Sequence, residues 1–220
     1  MTQAILHPEL SRTLRAMGAP GQASVTEARA RSEALALLER DAFVTPAAAY
    51  RIVPVAAIRG TAIDLRECVL HASALAEDPG ELLAVAAAVC TLGGAAEQRV
   101  AQLFAGRRRS LALALDGVAN ELLFRLADRT VAAIAREARK SGWMPGVEIS
   151  PGDPGMALEE QAAVLALADA ARIGVTLAGA ASLSPAKSLS VVVALGHALR
   201  PRVLAQRCDA CPSRNRCRVK

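Results

Sequence analysis

Apolar and polar positions follow two rhythms along the chain, and the rhythm changes near residue 78. From Ser24 to Asp41, Val25, Ala28, Leu35 and Leu38 recur near helical spacing, and Ser-Val-Thr-Glu at 24–27 is a capping-box pattern. A helix is expected there, ended by Thr45-Pro46, because the residue before proline is pushed out of helical geometry. Residues 48–65, AAYRIVPVAAIRGTAIDL, alternate and turn at Arg59-Gly60, which predicts a β-hairpin. Pro54 inside the first run places that strand at an edge or a bulge. Beyond residue 78 the pattern reads as long helices. Asp78 is an N-cap, Pro79 the first helical position, and the apolar run after Glu81 stops at Gly93. Two more helices are expected, one from about Ala95 to Phe104 and a long amphipathic one from Ser110 to Ser141, closed by Gly142. After a Pro/Gly turn, residues 157–174 read as a helix ending at Gly174. Residues 175–196 read as a strand, a turn around Ser184-Pro185 and a second strand from Ser188 to Leu195. The fold class is α+β: a small, mostly antiparallel sheet packed with several helices. Residues 1–22 form an N-terminal lead, 23–199 the α+β domain, and 200–220 a basic, cysteine-containing tail.

Composition narrows the possibilities. The 220 residues are 53% hydrophobic and 21% charged, which describes a globular chain able to bury a core. Aromatics are only 2%, so that core must be built from Ala, Leu and Val, with few rings to stack on bases. The net charge of +5 is concentrated at Arg107–Arg109 and in the tail, where Asp209 is the one acid. Such clusters suit a solvated surface, an acidic partner or nucleic acid. The lack of interleaved aromatics and of a reading helix argues against nucleic acid. The start MTQAILHPEL lacks a basic stretch followed by a long apolar run, so no signal peptide is expected. The longest uncharged run, Leu82 to Ala96, is shorter than the ~20 residues a bilayer span needs. A cytoplasmic protein without membrane contact is expected.

Two stretches carry candidate chemistry. In the tail, Cys208 and Cys211 form a C-x2-C pair and Cys217 follows six residues later. Three thiolates so spaced can hold a tetrahedral zinc or an iron–sulfur cluster; free or regulatory thiols are the alternative. The fourth ligand is missing locally, with Cys68, Cys90 and His197 as candidates. The surrounding arginines would offset the negative charge of an iron–sulfur cluster. The second stretch is EISPGDPGMALEEQ, Glu148 to Gln161. Its glycines let a ligand approach the backbone, and Glu159 and Glu160 open the following helix, as the macrodipole favours. A purely structural turn is the plainer reading.

VCTLGGAAEQ (89–98), LALALDGVANELL (111–123), SPGDPGMALEEQ (150–161) and IGVTLAGAASLSPAKSLSVVVALG (173–196) occur in this order. Together they resemble the activation, S-adenosylmethionine-binding, domain of cobalamin-dependent methionine synthase in a compact stand-alone form, over about Glu39 to Gly196. The resemblance implies an accessory protein that presents S-adenosylmethionine to a cobalamin carried by a separate corrinoid-binding methyltransferase, most simply a split methionine synthase, during reductive reactivation. None of the three histidines sits in a corrinoid motif. The family's turn reads Arg-x-Ser/Ala-Pro-Gly-Tyr. Here Ser150, Pro151 and Gly152 keep it, while Glu148 stands at the Arg position and Asp153 at the Tyr position. Loss of the charge-assisted pair with the donor carboxylate costs roughly 1.5–3 kcal/mol, or one to two decades of affinity. Asp153 can instead face the ammonium or sulfonium, and Arg139 or Lys140 can stand in for the missing cation. Of Asp116 and Glu121 on the long helix, one is placed to approach the donor or the sheet edge; the alternative is two acids on a solvated face. Cys90 reads as a small buried hydrophobe at a helix end, and Lys187 as a surface charge or a partner contact. A cluster at Cys208, Cys211 and Cys217 would supply the one-electron donor the chemistry needs. Two other readings remain: a docking or electron-transfer module that has lost donor binding, and a zinc-tailed nucleic-acid binder.

Overall fold

A computed structural model of the protein describes residues 2–6, 17 and 24–200. The strands are β1 (Thr2–Leu6), β2 (Ala47–Pro54), β3 (Ala57–Arg59), β4 (Ala62–Asp64), β5 (Val69–His71), β6 (Glu81–Thr91), β7 (Met144–Ile149), β8 (Thr176–Ala178), β9 (Ser182–Ser184) and β10 (Ser188–His197). The helices are α1 (Val25–Asp41), α2 (Ser73–Ala76), α3 (Ala95–Ala105), α4 (Arg109–Lys140) and α5 (Gln161–Ala168). The main sheet has the order β1-β2-β6-β10-β7 and is antiparallel throughout. The expected α+β class is what the chain adopts.

The sheet is the middle layer. On one face, Ala84, Ala86 and Ala88 of β6 and Val191, Val193 and Leu195 of β10 meet Ile134 and Ala138 of α4. The first half of α4 packs with α1 and α3 around Leu38, Leu103, Leu115 and Leu122, joined by Met17. On the other face, Val85, Ala87, Val89, Val192 and Ala194 meet α5 and the small β3-β4-β5 sheet through Val164, Ile63 and Leu70. Small alanines on the central strand let α4 lie close to the sheet, so a core with few aromatics still packs densely.

Several expectations hold. Ser24 caps α1 with both halves of the capping box in place. The hairpin turns at Gly60, between β3 and β4. Both α3 and α4 lie within a residue of their expected bounds. Pro54 ends β2, an interior strand. Val55 N donates to Leu83 O, so the Pro54 nitrogen faces the opposite side, where β1 pairs only with residues 47–51.

The main correction is the run after Asp78, which is the central strand β6 and not a helix. It is buried on both faces and paired on both edges, so it shows no alternation, and periodicity cannot separate such a strand from a buried helix. Asp78 caps no helix. Its carboxylate accepts from Gly80 N (2.9 Å) and holds Arg200 by an ion pair of 3.6 Å. The expected helix over 157–174 is interrupted: a 3-10 turn (Leu158–Glu160) precedes α5, Asp169 adopts left-handed geometry, and a second 3-10 turn (Ala170–Ile173) leads to Gly174. Residues 175–184 hold a tight β8-β9 hairpin before the turn at Ser184-Pro185. Strand β7 was not foreseen; Pro145 and Gly146 obscure its pattern. Within the N-terminal lead, Thr2–Leu6 pairs with β2.

Candidate functional site

Three of the four motifs end strands at one end of the sheet. Thr91, the last residue of β6, pairs with Ser188, the first of β10, and Ile149, the last of β7, pairs with Val192. The turn after Ile149 therefore heads toward the same end as the loops after Thr91 and before Ser188.

The turn is closed by its own atoms. Asp153 N donates to Ser150 O (2.9 Å), and Ser150 N donates to the Asp153 carboxylate (2.9 Å). Gly152 N donates to Met156 O and Met156 N to Asp153 O, each 3.0 Å. Gly152 and Gly155 have φ of +94° and +92°, which other residues rarely adopt. A Cβ on Gly155 would lie 2.8 Å from Ala74 Cβ, so the turn is seated on α2; Met156, buried, bridges to Ala72. The Ser150, Gly152, Asp153 and Met156 amides and the Ser150, Asp153 and Met156 carbonyls are used within the turn, Gly155 O takes the Ser73 hydroxyl, and Pro151 and Pro154 have no N–H. Glu148, half-buried on β7, pairs with Val193 and so shares its α4 face of the sheet, whereas Ile149 and Met156 lie on the α5 face; one oxygen of Asp153 closes the turn. Ser150, Pro151, Gly152 and Asp153 are thus brought together, with Glu148 two residues away.

Asp116 and Glu121 go elsewhere. Asp116 pairs with Lys187 at 2.6 Å, and Lys187 also donates to Asn120 (2.6 Å). Glu121 binds Arg31 of α1 and Arg125 of its own helix (3.0 Å). Both acids tie α4 to its neighbours, and Asp116 does so at the end of the sheet toward which the turn heads. Lys187 is likewise no surface charge: its side chain is 12% exposed. Around it, Glu97 accepts from Ala186 N (2.7 Å), and Thr91 accepts from Ser188 Oγ (2.8 Å) and Gly93 N (3.0 Å). The first, second and fourth motifs thus hold one another. Thr91, Glu97 and Asn120 were not singled out from sequence, because only the fold brings them to Lys187.

Arg139 and Lys140 cannot replace a cation at the turn. They close α4 beside Met144, the far end of β7, about 20 Å along the strand from Ser150. Lys140 pairs with Glu137 (2.8 Å).

Cys90 is fully buried, at a strand end and not a helix end. Thr130 Oγ1 gives its proton to Leu126 O, so the Cys90 thiol donates to Thr130 (3.5 Å). Burial pushes this thiol up to about 11. Cys90 is closed off from solvent between the sheet and α4. Burial, with Glu67 and Glu160, also raises the half-buried Cys68 thiol. His197 is exposed at the end of β10. Cys208, Cys211 and Cys217 lie outside the described residues, among which no group of three His, Cys, Asp or Glu side chains could hold a metal ion. No helix among the described residues is long and apolar enough to cross a membrane.

No family model and no curated protein matches the sequence. Among solved structures, the chain is similar to one described as the MetH reactivation domain bound to AdoHcy, with a TM-score of 0.62, 12% sequence identity, and coverage of 92% of this chain and 81% of that one. The chain has the fold of that domain.

Proposed function

We propose that this protein is a cytoplasmic accessory factor that reactivates a corrinoid-dependent methyltransferase by presenting S-adenosylmethionine to it. The observation that carries the reading is the shared fold with the AdoHcy-bound MetH reactivation domain over 92% of the chain. The Pro151-Gly152 turn is the donor site, and Asp153 faces the sulfonium or ammonium of the donor. The partner's cobalamin supplies the metal that is reduced by one electron and then takes the methyl group, while S-adenosylmethionine leaves as AdoHcy. This chain contributes positioning: it holds the donor in line with the acceptor, the main source of rate in such a transfer. Cys208, Cys211 and Cys217 form a zinc or iron–sulfur site, and in the iron–sulfur case they relay the electron.

Calorimetric titration of S-adenosylmethionine and AdoHcy into anaerobically purified protein tests the donor site. Micromolar binding, weakened about tenfold by Gly152→Ala, is expected, because the added Cβ meets Leu158 Cδ1 at 3.3 Å in a left-handed backbone. Absence of binding up to millimolar concentration overturns it. One observation favours a second reading, a docking or electron-transfer module without donor binding: Glu148 stands where the family's turn has the Arg that pairs with the donor carboxylate. That reading expects no donor binding but co-elution with a purified corrinoid-binding domain. Metal analysis of the full chain against one ending at Arg200 tests the tail; equal metal content in both would exclude a tail site.

A further inference from the structure

Four polar residues are buried among the described residues: Thr91, Thr130, Gln161 and Ser190. Thr130 bonds its own helix backbone, and Thr91 serves the loops around Lys187. Gln161 and Ser190 instead satisfy each other across two elements. Gln161 Nε2 donates to Ser190 Oγ at 2.8 Å, and Ser190 Oγ lies 3.2 Å from Gln161 Oε1. Both residues are only 5% exposed, in a layer otherwise filled by Val164, Leu165, Val89 and Val192.

A buried polar pair of this kind adds little stability over two apolar side chains of the same size. What it adds is direction, because a hydrogen bond has one geometry and an apolar contact has many. The direction matters at this place. Gln161 is the first residue of α5, and α5 has no side-chain cap at its start. Ser190 lies on β10. The β7-β10 register ends where Ile149 pairs with Val192, and Ser190 lies two positions before Val192 on β10. Four residues, three of them in the 3-10 turn Leu158–Glu160, join Met156 to Gln161. The pair therefore anchors the chain that leaves the turn to the strand next to β7. On its other side the turn is held by α2, through the Ala72–Met156 bridge and the Ser73 hydroxyl donating to Gly155 O (3.4 Å).

We propose that Gln161 is a positioning residue of the turn: clasped to Ser190, it sets the height of the Ser150–Met156 backbone over the sheet end and so the shape of the donor site. The idea that this shape serves a donor rests on the reading above; the positioning itself does not.

Amide hydrogen exchange tests the positioning without ligand. In Gln161→Met, the Gly152, Asp153 and Met156 amides should exchange about tenfold faster, while Val89 and Val192 in the sheet keep their protection. Ser190→Thr keeps a hydroxyl and should leave the turn as in the wild type. The double variant Gln161→Leu/Ser190→Val refills the space without polar direction; the turn should still exchange fast. Unchanged turn amides in Gln161→Met, or turn and sheet amides that change in parallel, overturn the proposal, as does full recovery of turn protection in the double variant. AdoHcy titration separates the two ideas. Failure of the wild type to bind, with the exchange pattern as expected, removes the donor reading and leaves the positioning; tight binding with unchanged turn exchange does the reverse.

Discussion

Gly155 shows how a single atom decides the turn. At φ +92°, with Ala74 Cβ 2.8 Å from where its own Cβ would stand, it tolerates no side chain. Gly155→Ala should cost about 2–3 kcal/mol, read as a lower urea midpoint with an unchanged slope. Lys187 is the second such residue. Its ammonium is shared between Asp116 and Asn120 in a mostly covered place, so Lys187→Ala should cost about 1–3 kcal/mol, and an added Asp116→Asn should cost less than it does alone. Cys90 makes a pH prediction. Its thiol, pushed to about 11 when folded, stays protonated after the unfolded thiol has ionised near 9. Stability is therefore full below pH 9 and falls as pH rises toward 11, by about 2–3 kcal/mol. Cys90→Ala should remove that part of the slope in alkaline urea melts. The roles of these residues were only partly legible. Glycine at a Pro/Gly turn is visible in a sequence, and a small buried role for Cys90 follows from its apolar neighbours. The partners of Lys187 come from segments 67 to 96 residues away in sequence, and no local pattern contains them.

Elements differ in how much of their identity is local. Helix α1 carries its start signal in four residues, and Ser24→Ala should cost about 1 kcal/mol by removing the cap. Helix α4 announces itself by its length and its amphipathic pattern. Strand β6 does neither. Alanine favours helices in isolation, and an apolar run begun by Asp-Pro-Gly looks like one. Pairing with β2 and β10 on both edges overrides that preference, and burial on both faces erases the alternation that would have marked a strand. The alanines that mislead are the ones the packing needs. Ala86 faces Ile134 and Ala138 with no exposed surface, so Ala86→Leu should push α4 from the sheet and destabilise by about 1–3 kcal/mol or more, measurable by chemical denaturation.

At the scale of the whole molecule, the sheet separates two ends. The turn and the Lys187 cluster lie where β6 ends and β10 begins. The chain leaves at the other end, where Leu199 is buried against Gly146 and Arg200 is held by the covered Asp78. Leu199→Ala should cost about 2–4 kcal/mol, because a buried leucine is lost, and Arg200→Ala should cost less, because the covered Asp78 loses its cation but keeps Gly80 N. Comparing their thermal melts with the wild type checks this. The sequence by itself determined the α+β class, the capped and amphipathic helices, the Gly60 hairpin and the glycine-bearing turn, because each is written in residues close together in the chain. It also carried the four motifs that resemble a known domain. The tertiary structure was needed to show that the alanine-rich run is the central strand, that Asp116 and Glu121 tie α4 to its neighbours, and that Gln161 and Ser190 meet in the core. Those outcomes depend on pairing and burial between distant segments, whose combined free energy exceeds the small local preferences that a sequence displays.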